Sequence, residues 1–237
     1  MTQLQGIQAC LFDAYGTIFD FSTAVAHCPD VPEARRAALI ALWRDKQLQY
    51  TWQRSLQGCY ADFWQVTGEA LEFTLDSLDL ASPGLWRRLM DLYEVLPAFP
   101  EVADTLRELR AAGFVTAILS NGTPAMLDAA VRRAGLHELL DAVLSADAVQ
   151  VFKTDPRVYD YGLRQLGLKA SEVSFQSSNG WDAFAASAHG MRVVWCNRYG
   201  QRRERLPGAP DHEITSLAEL PRLLARPMPP NLDAIDV

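Results

Sequence analysis

Short apolar runs bounded by turn-forming residues recur along this chain at the spacing of alternating strands and helices. The first, Ala9-Cys10-Leu11-Phe12, ends on Asp13 and a turn bearing Gly16. A run of that length between turn signals predicts a short buried strand. From Pro100 onward, strand and helix alternate. A helix is predicted over 100–112, with proline in its first turn and Gly113 as its stop. A strand over 114–119 follows, then a helix from Thr123-Pro124 to Gly135, and a short strand over 142–145. Asp155-Pro156 opens a helix that stops near Gly167. A strand over 173–176, a helix over 181–189 and a strand over 193–196 complete the pattern. Repeated strand–helix units predict an α/β fold: a Rossmann-like parallel sheet core with helices on both faces.

Between Phe19 and Leu96 the pattern contains no convincing strand. Helical periodicity runs over 31–54, followed by Tyr60-Ala61-Asp62-Phe63-Trp64 and two amphipathic stretches, about 69–80 and 83–93. An all-helical block between the first strand and the rest of a sheet reads as an inserted cap. The expected division is a core of 1–19 and 97–226, a helical cap of 20–96, and an irregular C-terminal tail of 227–237 rich in proline.

Composition narrows the class. The 237 residues carry a formal net charge of −7, which disfavours nucleic acid as a partner, since that binding needs a basic face. A small anionic substrate remains compatible, because local charge can oppose net charge. Cys10, Cys28, Cys59 and Cys196 are widely spaced and form no C-x-x-C, so they are expected to be buried free thiols. No signal peptide or membrane span is evident, which predicts a soluble, cytoplasmic protein with no membrane partner.

Four polar pieces follow predicted strands: Asp13 with Thr17; Ser120-Asn121-Gly122; Lys153; and Ser177-Ser178-Asn179-Gly180-Trp181-Asp182. Singly, each is an ordinary turn, helix cap or surface residue. Open α/β sheets bind ligands at the carboxyl ends of their strands, and a shared address there makes them a candidate site. Two residues beyond Asp13 stands Tyr15 rather than a second carboxylate. An aspartate nucleophile needs no proton removed, so a missing partner acid points to a leaving group that departs as a stable anion.

These pieces, in this order, resemble the haloacid dehalogenase superfamily and, within it, the L-2-haloacid dehalogenase (type II) branch. The likeness is carried by Phe-Asp-Ala-Tyr-Gly-Thr at 12–17, Trp-Arg at 43–44, Ser-Asn-Gly at 120–122, Phe-Lys at 152–153 and Ser-Ser-Asn-Gly-Trp-Asp at 177–182. It spans nearly the whole chain. Phosphatases of the superfamily carry an aspartate where Tyr15 stands, and acidic Mg²⁺ ligands where Ser177, Ser178 and Asn179 stand. Hard oxygen ligands are what Mg²⁺ requires, so the resemblance implies no metal and no cofactor.

The resemblance implies hydrolysis of short (S)-2-haloalkanoic acids to (R)-2-hydroxy acids through an ester on Asp13. Lys153 would keep Asp13 ionised, while Asn179 and Asp182 position water. Thr17 and Ser177 would donate hydrogen bonds around Asp13 and Lys153. Ser120 and nearby backbone N–H groups would hold the substrate carboxylate. Arg44 would receive the halide ion, with Asn121 as second donor, and Tyr15, Phe63 and Trp181 would form an apolar wall. Tyr159 matches a polar site residue of the branch, and a homodimer is a form the branch often takes. Two departures stand out: Asp45 follows Arg44 where an uncharged amide is expected, and Thr154 follows Lys153 where proline is usual.

His27, His137, His189 and His212 lie beside no nucleophile-like serine or cysteine and receive no role. The basic run 198–205 reads as a solvated loop. A small-molecule phosphatase on the same fold is the second reading, marked by Mg²⁺-dependent turnover of p-nitrophenyl phosphate. A binding module without turnover is the third, marked by an Asp13→Asn variant identical to its parent in every assay.

Overall fold

A computed structural model describes residues 2–26 and 28–225. His27 and the proposed irregular tail lie outside the described residues. Six strands form one parallel sheet: β1 (Ala9–Phe12), β2 (Val115–Ser120), β3 (Ala142–Ser145), β4 (Val173–Ser177), β5 (Arg192–Cys196) and β6 (His212–Ile214). Their order is β3-β2-β1-β4-β5-β6. The chain therefore builds outward from β1 first on one side and then on the other. β1 is the switch point, where such sheets open a crevice.

Strand side chains alternate between two buried layers, as period-2 geometry requires. Cys10 and Phe12 of β1 join Ile118, Val194 and Cys196 in one layer. Ala9 and Leu11 join Leu119, Phe175 and Trp195 in the other. Helices α5 (Val102–Ala111) and α6 (Pro124–Arg133) cover the first face through Leu106, Leu109, Leu127 and Val131. Helices α7 (Pro156–Leu166) and α8 (Gly180–Ala188) cover the second through Val158, Ala183 and Ala186. The caps behave as read from sequence. Thr123 accepts a hydrogen bond from Met126 N with Pro124 at the first helical position, and Asp155 accepts from Arg157 N ahead of Pro156.

The block between Phe19 and Leu96 is helical: α1 (Phe21–Ala26), α2 (Glu33–Gln57), α3 (Phe63–Ser77) and α4 (Leu85–Asp91). The outgoing and returning connections lie side by side. Asp20 N donates to Pro97 O at 2.8 Å, and Phe99 N donates to Ile18 O at 3.0 Å.

Two expectations need correction, and one strand was not foreseen. The stretch read separately as 60–64 and 69–80 contains one helix, α3, which begins at Phe63. Asp62 caps it by accepting from Gln65 N, a local signal that outweighs the aromatic break. Strand β6 carried no apolar run, because its three residues include His212 and Glu213. Cys59 is exposed beyond the α2 terminus, whereas Cys10, Cys28 and Cys196 are buried.

Candidate active site

The first turn after β1 places Asp13 at the centre of the sheet. Its backbone N still donates to Gln176 O on β4 at 2.8 Å. The carboxylate is 6 % exposed and every hydrogen-bond donor around it comes from a predicted site residue. Oδ1 takes Lys153 Nζ at 3.1 Å. Oδ2 takes Asn179 Nδ2 at 2.8 Å, Thr17 Oγ1 at 3.2 Å and Ser177 Oγ at 3.3 Å. These donors are themselves held. Ser178 N donates to Thr17 Oγ1 at 2.8 Å, and Asn179 N donates to Ser177 Oγ at 3.1 Å.

Lys153 arrives on the segment between β3 and α7, after the 3-10 turn Ala146–Val149. Its ammonium is 1 % exposed and lies between two carboxylates, since Asp182 Oδ2 is 2.9 Å away. Burial pushes the ammonium down, but Asp13 and Asp182 outweigh it and hold the group above the ordinary lysine value. The other Asp182 oxygen accepts from Tyr159 Oη at 2.7 Å. Burial raises the Asp182 carboxyl against the opposing pull of Lys153, and Asp13 adds to the rise. A lysine ammonium thus takes the position between the two carboxylates that a divalent cation would need. Among the described residues, no cluster of three or more His, Cys, Asp or Glu side chains could hold a metal ion.

The strand-end turn after β2 is closed by its own side chains. Gly122 N donates to Ser120 Oγ at 3.1 Å, and Ser145 Oγ on β3 donates to Gly122 O at 2.6 Å. Asn121 Oδ1 accepts from Lys153 N at 2.9 Å, which leaves the amide NH₂ as its donor end.

The helical block supplies the remaining wall. Arg44 on α2 donates from Nη1 to Gln47 Oε1 at 2.7 Å, and its Nη2 lies 3.4 Å from Asn179 Oδ1. Gln47 was missed in the sequence; it is buried and donates to Thr67 Oγ1 at 2.7 Å and to Tyr93 Oη at 3.0 Å. Its place one helical turn from Arg44 was the available signal. Asp45 is exposed and makes no ion pair with Arg44, so that departure faces water.

Tyr15 and Phe63 stack with ring centres 6.0 Å apart, and Tyr93 meets Tyr15 edge-on at 5.4 Å. The Tyr15 hydroxyl is buried with no hydrogen-bond partner, and burial drives its pKa upward. Burial likewise pushes Tyr93 up to about 12. A cavity of about 150 Å³ reaches Tyr15, Arg44 and Asn179 between Phe21, Ile40, Tyr199 and Gln201. Trp181 stands apart from this aromatic group. Its ring meets Trp52 of α2 at 5.7 Å, and it lines a separate cavity with Tyr159, Pro156 and Leu206.

One expectation fails here. Arg198, which opens the basic run, is no solvated residue. Its side chain is 8 % exposed and forms a 2.6 Å ion pair with Glu101. An adjacent carboxylate and the ring of Phe99 outweigh the bias of an arginine-rich stretch towards water.

A parallel sheet with a strand-end aspartate at its switch point, ringed by lysine, threonine, serine and asparagine, defines a hydrolase of the haloacid dehalogenase type. The chain belongs to that family: residues 7–190 match the family model described as haloacid dehalogenase-like hydrolase. It is 47 % identical over 222 residues to (S)-2-haloacid dehalogenase 1 of Pseudomonas sp. (strain CBS-3), covering 93 % of this chain and 97 % of that one. It is 44 % identical over 224 residues to (S)-2-haloacid dehalogenase 4A of Burkholderia cepacia, covering 94 % and 97 %. Among solved structures it resembles the L-2-haloacid dehalogenase of Xanthobacter autotrophicus with chloropropionic acid covalently bound. That match has a TM-score of 0.85 at 38 % identity over 92 % of this chain and 98 % of that one.

Proposed function

We propose that this chain is an (S)-2-haloacid dehalogenase that hydrolyses short (S)-2-haloalkanoic acids to (R)-2-hydroxy acids. The observation that carries the reading is the Asp13 carboxylate, held by one ammonium and three neutral donors, with Tyr15 rather than a second carboxylate two residues on.

A carboxylate so held is aimed, with both oxygens fixed by donors. One Asp13 oxygen attacks C2 of the substrate opposite the carbon–halogen bond. The halogen leaves with the bonding pair as halide, C2 inverts, and an ester joins it to Asp13. Splitting one displacement into two steps in this way is covalent catalysis. Water then adds to the Asp13 carboxyl carbon. The ester breaks to release the hydroxy acid and return the Asp13 carboxylate, so each turnover liberates one halide and one proton. Asn179 and Asp182 position that water, and Lys153 stabilises the charge that passes over the Asp13 oxygens.

Arg44 and the Asn121 amide receive the halide, while Tyr15 and Phe63 keep water off the halogen. Ser120 and the backbone N–H groups of its turn take the substrate carboxylate. The 20–96 segment serves as a cap, bringing Arg44 over a core of 1–19 and 97–226. The relatives' names fit this substrate class, and the ester fits the chloropropionic acid covalently bound in the Xanthobacter structure.

Incubation with (S)-2-chloropropionate, without added metal, is expected to release chloride and yield (R)-lactate. No halide from any short 2-haloacid would end this reading.

A further inference from the structure

Arg198 sits just beyond β5, outside every motif assigned above, and is built in more carefully than a loop residue needs. Asn197 clamps the loop by donating to Gln201 O at 2.9 Å and accepting from Gln201 N at 2.7 Å. The guanidinium then makes three contacts on two segments, the turn at Thr17 and the stretch 99–101. Nη2 donates to Thr17 O at 2.9 Å. Nη1 pairs with Glu101 Oε1 at 2.6 Å. The planar face lies 3.9 Å over the ring of Phe99. Glu101 also accepts from Leu217 N at 3.3 Å and, although burial raises it, its hydrogen bonds and Arg198 hold it below the usual carboxylate range.

Thr17 and Phe99 belong to the two connections that leave and re-enter the sheet domain. Thr17 Oγ1 is also one of the donors on Asp13 Oδ2. Thr17 is fully buried; Arg198 fixes its carbonyl, and so the backbone of the turn, while Ser178 N fixes its hydroxyl at 2.8 Å.

We propose that Arg198 is a positioning residue for the reaction, acting through Thr17 to set the attacking geometry of Asp13, with Glu101 and Phe99 holding Arg198. This rests on the reading of Asp13 as nucleophile. A fork of donors with a flat, stackable face suits the three contacts; a lysine ammonium offers the charge without that geometry. A small misplacement of a reacting group far from the altered residue can cost large factors in rate.

The test compares Arg198→Lys with Glu101→Gln, each assayed well below its own melting temperature, on (S)-2-chloropropionate. Arg198→Lys is expected to lower kcat by about tenfold with KM within about twofold, the signature of lost transition-state alignment. Glu101→Gln removes the charge but keeps an oxygen that can accept from Arg198 Nη1, so it is expected to lower Tm while changing kcat less than about threefold. Phe99→Leu, which removes the ring beneath the guanidinium, is expected to lower kcat by about tenfold at constant KM, and it carries the test if Arg198→Lys does not fold. The proposal is overturned if kcat losses across the variants simply track their Tm losses, or if Arg198→Lys leaves kcat intact, whatever its KM. Absence of halide release from the unaltered chain overturns the dehalogenase reading itself, and this proposal with it.

Discussion

Arg44 reaches from the second helix of the helical block to Asn179 at the end of β4, with 3.4 Å between Nη2 and Oδ1. The amide so approached is the one whose Nδ2 donates to Asp13 at 2.8 Å. The helical block and the Asp13 carboxylate are therefore joined through the Asn179 side chain.

A donor that meets charge only as halide departs acts on kcat more than on KM. Loss of one such donor costs about 2.7–4 kcal/mol, or roughly a hundred- to thousandfold. Arg44→Ala is expected to fold normally and lose turnover on that scale, and Arg44→Lys to recover part of it. The loss should be larger for chloride than for bromide. An equal loss of less than about threefold for every substrate would show Arg44 to be a solvated helix residue.

The shifts of Asp182 and Lys153 predict pH effects at opposite ends of the scale. Burial raises the Asp182 carboxyl above the ordinary 3.8, so activity that needs it ionised is lost as pH falls, at a pH higher than an exposed aspartate would give. The Tyr159 hydroxyl favours the ionised form. Tyr159→Phe is therefore expected to move the acid limb of kcat upward in pH, and an unmoved limb would detach Asp182 from it. Lys153 is raised above the ordinary 10.5, so its stabilising charge is complete below that value and is lost only as pH climbs through the raised one. Thermal melts should show no loss from this group between neutrality and pH 10.

Isotope placement tests the nucleophile directly. In a single turnover in ¹⁸O water, the hydroxy acid should carry the unlabelled Asp13 oxygen, and mass spectrometry of the active-site peptide should find ¹⁸O on Asp13. Label in the first-turnover product with Asp13 unlabelled would make water the attacking group.

A Cβ at Gly122 would lie 2.8 Å from Tyr15 Oη, 3.0 Å from the ring and 3.2 Å from Leu127. Gly122→Ala must displace the Tyr15 ring, an overpacking cost of about 1–3 kcal/mol. Denaturant unfolding should report that loss, together with a raised KM for the larger 2-haloacids. Unchanged stability would mean the ring relaxes freely.

The sheet was legible because its strands are apolar runs stopped by glycine, proline or a capping residue. Strand β6 was not, because polar His212 and Glu213 give an edge strand no periodic signal. Asp13, Lys153, Ser177 and Asn179 could be grouped because each ends or follows a strand of one parallel sheet, and topology brings such ends together. Gln47, Tyr93 and Arg198 left no such mark. Their roles come from packing between segments distant in sequence, and a basic run around Arg198 pointed towards water until Glu101 and Phe99 were seen against it.

The strand order carries a kinetic consequence. β1, which delivers Asp13, pairs only with Val115–Ile118 and with Val173–Gln176, both far along the chain. Helices α2 and α3 pack on each other as near neighbours in sequence. Non-local pairings close slowly and local ones quickly. On dilution from denaturant, far-ultraviolet ellipticity should therefore recover ahead of halide release, since no partially folded chain lacking β4 contains the Asn179 and Ser177 side of the Asp13 pocket.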